Sequence, residues 1–395
     1  MILWLTYWYP DKENPVRGNF IRAQWKAVRS VGCEVELLFI DIAKGKKMME
    51  VNWTRGLEGE IILKVRSRAW KTIYHTPIWA AKLITRKWAD KTGLDQPTAI
   101  HANVVFPAGI LAEHLGRRWN IPYVITEHWS KAGKWTRHKL FGKKVRSSYE
   151  EAFAILPVSK HLSEELQNKL PKIVKDNFRI IPNAIDINSF KYLKRKLEPE
   201  KKRIKILGVA SLISSNALLK RVDFSIEALS ILKRKHPNII WDYTHIGSGS
   251  RLKVLQDYAK GLGVDDNINW LGSLNSNQLY EEYCKADIFL QPSKSETFGI
   301  VVLEAIETGL SVIASDIPAF KSWVNEKTGV RVKLNPNAIA DGVEGLWKNP
   351  IAVPKDVLES KKYAPTEVGA HIKEVYDDLL GSRQNGKSSV KKESN

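Results

Sequence analysis

The chain has 395 residues, 43% of them hydrophobic, which is enough for more than one core, and no apolar run is long enough to span a bilayer. Net charge is +19, and residues 1–190 hold 31 Lys+Arg against 18 Asp+Glu together with ten of the 14 Trp, so the basic and aromatic character gathers in the first half. The two cysteines, Cys33 and Cys284, form neither a ligand cluster nor a disulfide framework, which points to a reducing cytoplasm.

The opening MILWLTYWYP lacks a basic leader and a small-residue cleavage site and reads as a first strand, ILWLTYW. NFIRAQWKAVRSVG then reads as a helix ending at Gly32, and CEVELLFID as the next strand. RSRAWKTIYHTPIWAAKLITRKWADK reads as an amphipathic helical region kinked at Pro77. TAIHANVVF (strand), PAGILAEHLGRRWN (helix) and IPYVITEHW (strand) follow, then KAGKWTRHKLFGKKVR as a basic, mobile loop. AFAILPVS (strand) and HLSEELQNKL (helix) lead to NFRIIPNAI. Such alternation predicts a parallel sheet with helices on both faces over 1–190.

The charged stretch KYLKRKLEPEKKR, 191–203, has no core stripe and reads as an exposed linker. Alternation restarts with IKILGVASLI, RVDFSIEALSILKRKH, IIWDYTHIG and SRLKVLQDYAKGLG, and continues through NINWLGSL, ADIFLQPS, a helix around Glu304 and SVIAS. The second unit is therefore placed at 204–364, and a helix at 365–380 is expected to complete the first; 381–395 reads as a disordered tail. The fold class is α/β: two doubly wound, Rossmann-like domains facing each other across a cleft.

Pro292 to Gly309, PSKSETFGIVVLEAIETG, carries the sharpest chemical signal. A buried strand gives way to a helix opening at or near Phe298-Gly299-Ile300, whose unpaired amides and partial positive charge suit a phosphate. Counted along a helix, the eight residues between Glu296 and Glu304 are a little over two turns, which puts both carboxylates on about one face. Lys220 and Arg221, just before a helix, are cations placed to neutralise a diphosphate. The glycines of HIGSGSRL permit a close backbone approach. In the first half, Gly18 precedes a helix after a strand, and His128 ends a strand where parallel sheets present ligand groups; His101, at another strand end, ranks lower. The plain alternatives are a turn glycine, a structural histidine and surface cations. The chain has no Asp-x-Asp pair, no Walker loop, no Gly-x-Gly-x-x-Gly after the first strand and no zinc-ligand spacing.

VSKHLSEEL, RIIPNAIDINSF, VASLI…LKRVDFSIEAL, HIGSGSRL, INWLGSL and PSKSETFGIVVLEA occur in the order seen in family 4 retaining glycosyltransferases of GT-B fold, and WYP…GNFIRAQ with HANVVFPAG…YVITEH resembles that family's N-terminal half. The resemblance covers roughly residues 1–380. It implies transfer of a sugar from a nucleotide diphosphate sugar, with retention, to a glycan or lipid-linked acceptor in cell-surface polysaccharide synthesis, without a cofactor or a required metal. By the same resemblance Glu304 binds the ribose, Glu296 touches the donor sugar, and the amides of Phe298, Gly299 and Ile300 lie near sugar and phosphate. Lys220 matches the diphosphate-binding lysine, Gly18 the glycine loop facing it, His128 a histidine near the reacting sugar, and Gly272-Ser273 the backbone that meets the base. The sequence departs from the family at Ala210-Ser211-Leu212, where an Arg is usual, leaving Arg221 to compensate.

The resemblance also implies front-face attack, with Glu296 positioning the sugar and forming no covalent bond. The acceptor is expected on the first domain, whose two basic-aromatic stretches suit an anionic membrane surface and hence a peripheral place at the inner face of the membrane. Two alternatives remain open at this point: a GT-B sugar-nucleotide epimerase or hydrolase, and a basic nucleic-acid-binding protein. No nucleic-acid-binding motif is present, so nucleic acid is not an expected partner.

Overall fold

The computed structural model describes residues 1–11, 17–185, 189–358 and 360–390. Contacts divide the chain into two units, Met1–Ala184 with Tyr363–Asn395, and Ile185–Lys362.

In the first unit β1 (Ile2–Thr6) is buried along its whole length, as a central parallel strand must be. It stops two residues before the predicted end, because Thr6 Oγ1 accepts the Trp8 amide at 2.9 Å and turns the chain. α1 (Asn19–Ser30) and β2 (Val35–Lys44) follow. The next two strands, β3 (Glu50–Arg55) and β4 (Ile61–Ser67), form an antiparallel hairpin that the sequence reading did not anticipate. α2 (Trp70–His75) and α3 (Ile78–Thr92) are separate helices, with Pro77 as the N-cap of the second. β5 (Ala99–Asn103) is shorter than predicted, because Val104 takes a left-handed φ of 68° and diverts the chain before α4 (Ile110–Trp119).

β6 (Tyr123–Glu127) is followed by α5 (Ala132–Trp135) and α6 (Gly142–Glu150). The expected loop over 131–146 is thus largely helical, anchored by buried Ala132, Thr136 and Val145. β7 (Ala154–Pro157) and α7 (Lys160–Lys169) complete the alternation. The strand order is β3-β4-β2-β1-β5-β6-β7, parallel except for β3, and it reverses direction at β1/β5.

The second unit holds β8 (Arg203–Val209), α8 (Ser214–Lys220), α9 (Val222–Lys235), β9 (Ile240–Ile246), α10 (Leu252–Gly261) and β10 (Ile268–Gly272). It continues with α11 (Ser276–Lys285), β11 (Ile288–Gln291), α12 (Ile300–Glu307), β12 (Ser311–Ser315), β13 (Gly329–Val332) and α13 (Pro336–Lys348). All six strands are parallel, in the order β10-β9-β8-β11-β12-β13, the doubly wound arrangement whose switch point lies between β8 and β11. Its core packs Leu212, Ile226, Leu229, Trp241, Tyr243 and Leu290.

The stretch 191–203, expected as an exposed linker, belongs to this second unit. Arg195 is half-buried there, and its guanidinium donates to the carbonyls of Tyr283, Cys284 and Ala286 at the end of α11 and of Thr308 at the end of α12. A cation at two helix C-termini satisfies carbonyls that no helical amide reaches.

α14 (Pro365–Val390) returns to the first unit. Val368, Ile372, Val375, Tyr376 and Leu379 make one apolar stripe, buried with Ile21, Trp25 and Val28 of α1. The helices approach so closely at Gly369 that a Cβ there would overlap the Ala27 carbonyl. The helix runs through the boundary at 381 set for the tail; residues 391–395 lie outside the described ones.

Candidate active site

The best-built candidate site of the second unit occupies its switch point. Arg221, with a left-handed φ of 50°, separates α8 from α9. The Lys294 amide donates to the Leu219 carbonyl at 2.6 Å, drawing the loop after β11 onto the end of α8. There Lys220 Nζ donates to Glu296 Oε1. Ser293 Oγ donates to the same oxygen at 2.9 Å and is itself held by Gln291 Nε2 at 2.8 Å.

Glu296 therefore sits in a loop. The helical count that put it on one face with Glu304 does not apply, because α12 starts only at Ile300. Gly299 sets that start with a φ of 87°, and a Cβ there would come 2.7 Å from Phe320 Cε1. Phe298 is buried edge-on against Trp323 at 5.2 Å between ring centroids, and its carbonyl accepts Trp323 Nε1 at 3.1 Å. Val302 N already donates to the Gly299 carbonyl at 2.9 Å, so it is the Ile300 and Val301 amides that lack an intrahelical acceptor, the usual anion-binding geometry of a helix start.

Glu304, on α12, accepts a hydrogen bond from the Tyr283 hydroxyl at 3.1 Å. Its residue surface is partly open, but protein surrounds the carboxyl, and this desolvation pushes its pKa up to about 8, with the Tyr283 hydrogen bond working the other way. Arg221 is engaged locally. It makes paired hydrogen bonds to Asp223 at 2.8–3.1 Å and lies 3.2 Å over the Phe224 ring. As placed, it compensates an Asp two residues away before any phosphate.

The loops after β8, β9 and β10 interlock around glycines. A Cβ at Gly247 would overlap the Ala210 carbonyl, and Leu212 N donates to the Ser248 carbonyl at 2.9 Å. Gly247 N donates to the Gly272 carbonyl at 2.7 Å, and Ser248 and Ser273 share a hydroxyl hydrogen bond of 2.7 Å. Gly272 is left-handed with open space where a Cβ would be, so its backbone is approachable.

In the first unit Gly18 is the left-handed N-cap of α1, φ 68°, pressed against the Trp8–Tyr9 backbone so that a Cβ would overlap the Trp8 carbonyl. His128 follows β6 and is 7% exposed, with the Phe20 ring 4.6 Å away between centroids. Neither of its ring nitrogens has a hydrogen-bond partner among the described residues. Burial pulls its pKa down to about 3; the side chain of buried Asn183 approaches and acts in the opposite direction, and the Asn183 amide oxygen is also without a hydrogen-bond partner among the described residues. A neutral imidazole and an amide with spare capacity suit a neutral, hydroxyl-rich ligand.

His128 is held by its neighbour. Glu127, fully buried, accepts from Tyr149 at 2.7 Å, from the Val105 amide at 3.0 Å and from the Trp129 amide at 2.8 Å, while desolvation pushes its pKa up to about 7. His101, by contrast, is saturated: Tyr376 and Thr126 each lie 2.6 Å from one of its nitrogens. It is a core residue tying β5 to α14.

Tyr283, Ser293, Asn183 and Glu127 were not singled out from the sequence. Ser293 sits inside the PSKSE signal, but Tyr283 reaches Glu304 from a different helix and no spacing reveals it. Among the described residues no group of three His, Cys, Asp or Glu could hold a metal ion, and no helix is long and apolar enough to cross a membrane.

Residues 190–364 match the family described as "Glycosyl transferases group 1", and residues 21–189 match "Glycosyltransferase Family 4". A Bacillus subtilis (strain 168) protein named as a glycosyltransferase of teichuronic acid biosynthesis is 22% identical over 95% of this chain and 97% of its own length. The alpha-monoglucosyldiacylglycerol synthase of Streptococcus pneumoniae is 23% identical over 74% of this chain and 69% of its own length. Sucrose-phosphate synthase from Thermosynechococcus elongatus has a similar fold, with a TM-score of 0.71 at 16% identity over 96% of this chain and 99% of that one. The Anabaena protein HepE, solved with UDP and glucose, gives 0.67 at 15% identity over 95% and 99%. The two doubly wound sheets and the two family matches together place this chain among the family 4 glycosyltransferases of GT-B fold.

Proposed function

We propose that the chain moves a sugar from a nucleotide diphosphate sugar to a glycan or lipid-linked acceptor, retaining the anomeric configuration and requiring no metal, in cell-surface polysaccharide synthesis. One observation carries the reading: at the switch point of the second unit, Lys220 and Glu296 form an ion pair next to the loop that opens α12. A cation and a helix N-terminus suit the two phosphates, a carboxylate suits sugar hydroxyls, and Glu304 on the same helix suits a ribose. The names of the Bacillus and Streptococcus relatives favour a polymer or lipid acceptor.

Breaking the anomeric C–O bond leaves negative charge on the diphosphate and positive charge on the ring. Lys220 and the α12 amides stabilise the first. For this, Lys220 exchanges Glu296 for phosphate oxygen, and the released carboxylate accepts sugar hydroxyls. In front-face attack the acceptor oxygen forms the new bond to the anomeric carbon, and its proton passes to the departing phosphate. His128, held neutral, orients a sugar hydroxyl by hydrogen bonding, since a pKa of about 3 makes it a poor proton acceptor at neutral pH.

The test is product analysis with candidate nucleotide diphosphate sugars, UDP-glucose first, with and without an acceptor glycan and in the presence of a chelator. A retained glycosidic linkage formed only with acceptor supports the reading. Consumption of donor at the same rate without acceptor assigns the chain to the hydrolase or epimerase alternative.

A further inference from the structure

Three segments leave the carboxyl edge of the first unit's sheet: 44–49 from the last residue of β2, 68–76 after β4 and 129–144 after β6. Together they hold eleven Lys or Arg and no Asp or Glu, and all eleven side chains are exposed. Glu50, just outside, approaches Lys47 at 3.8 Å and offsets little of this charge.

The segments form one surface. Gly45 N donates to the Ser67 carbonyl at 3.0 Å and Arg68 N to the Lys47 carbonyl at 2.9 Å, fixing the first segment on the second. His75, at the end of α2, meets Phe106 at 5.7 Å and stacks on Phe141 at 5.9 Å between centroids. Phe106 stacks on Trp135 at 4.1 Å, and Trp135 on His138 at 4.7 Å. The aromatic rings are thus a small satellite core that pins the basic segments in place. Their apolar tips point elsewhere: Met48 is 75% exposed, Met49 52% and Leu140 78%.

We propose that this edge docks on an anionic phospholipid bilayer, with the cations held at the phosphate level and Met48, Met49 and Leu140 dipping into the headgroup–acyl boundary. Uncompensated cations attract an anionic leaflet, and a few large apolar side chains among them add area buried in the interface. Nucleic acid fits less well, because it is read by free aromatic faces and hydrogen-bonding side chains. Here the rings face one another, Phe106 is buried, and the protruding tips are aliphatic or thioether. The same edge carries Gly18 and His128, so a lipid-linked acceptor would reach the first unit where its hydroxyl-seeking groups are.

The experiment is flotation of the full chain with vesicles of phosphatidylcholine, with and without a third of phosphatidylglycerol, at low and high salt. The expected result is salt-sensitive binding to the anionic vesicles alone. The triple variant Lys139→Gln, Lys143→Gln, Lys144→Gln should bind roughly 100-fold more weakly. The variant Met48→Ser, Met49→Ser, Leu140→Ser should keep low-salt binding and lose what survives at high salt. None of these residues belongs to the donor site, so both variants should keep the parent's melting point and its rise with nucleotide; this separates failure of the surface from failure of the proposed transfer activity. Absence of binding to anionic vesicles, equal binding to phosphatidylcholine, triple-variant binding as tight as the parent's, or displacement from vesicles by single-stranded RNA would each overturn the proposal.

Discussion

Lys220 and Glu296 are partners. The ammonium at the end of α8 and the carboxylate in the loop after β11 are joined across the switch point of the second sheet, with the Ser293 hydroxyl on the same carboxylate oxygen at 2.9 Å. The side chains are 23% and 10% exposed, so the pair is only partly screened by water. It keeps a cation and a carboxylate in place, and in the proposed reaction donor binding would redistribute both.

Lys220→Ala removes the cation proposed to meet the diphosphate. Turnover should fall by about 2–4 kcal/mol of transition-state stabilisation, a factor of roughly 30 to 10³. Ser293 still satisfies Glu296, so the folded state should persist, with circular dichroism and a cooperative melt as the check. Near-parental turnover in a folded variant would remove Lys220 from the chemistry.

Glu304 should impose a pH dependence of known sign. Its pKa is near 8 folded against 4.5 for an ordinary carboxyl, so the folded chain binds the extra proton. Stability therefore declines as pH rises from about 4.5 and through 8, the contribution being fully present only at the acid end. Glu304→Gln removes the titration. The difference in urea midpoint between parent and variant should move against the parent as pH is raised from 5 toward 8.5, a window set by the folded value of about 8. A pH-independent difference would mean that the carboxyl is ionised throughout.

His128→Phe replaces two buried ring nitrogens without hydrogen-bond partners by carbon, beside the ring of Phe20. Removing unsatisfied polar atoms costs little stability and can add some. The melting point should hold or rise while transfer falls by about 10²-fold, the scale of a lost transition-state hydrogen bond. A steep loss of stability would show that the imidazole is instead a structural hydrogen-bonding residue.

Gly299→Ala tests the opening of α12. A left-handed φ of 87° and a Cβ 2.7 Å from Phe320 Cε1 both oppose the methyl group. The variant should lose about 1–3 kcal/mol, and nucleotide affinity should fall with it because the first-turn amides shift. A melt unchanged from the parent would show that Phe320 gives way freely.

Much of this was legible in the sequence because the relevant signals are local. β1, β6 and β11 are short apolar runs, and the Gly299–Ile300 helix start is written in consecutive residues. The hairpin of β3 and β4 was missed: its Arg55–Ile61 turn is longer than a two-residue hairpin loop, and β3 has no buried face of its own. The common face assigned to Glu296 and Glu304 failed because the periodic count crossed a loop. Pairings such as Tyr283 with Glu304 and Lys220 with Glu296 depend on how distant elements meet in space, and even the local pairs of Ser293 with Glu296 and Asp223 with Arg221 are set by side-chain direction in a loop. Chain spacing carries residue types and strand ends; it does not carry which charge a neighbour has already taken.

The most direct measurement is the melting point of the parent chain and of Lys220→Ala with nucleoside diphosphates, nucleotide diphosphate sugars and the corresponding monophosphates. A ligand that binds only the folded state adds about 2.7 kcal/mol at a hundred times its dissociation constant, an easily read upward shift. The expected result is a rise with at least one diphosphate, a smaller one with its monophosphate, and loss of the difference in Lys220→Ala. A parent chain whose melting point no diphosphate or diphosphate sugar moves, or a variant that responds as the parent does, would contradict the donor site built on Lys220 and Glu296.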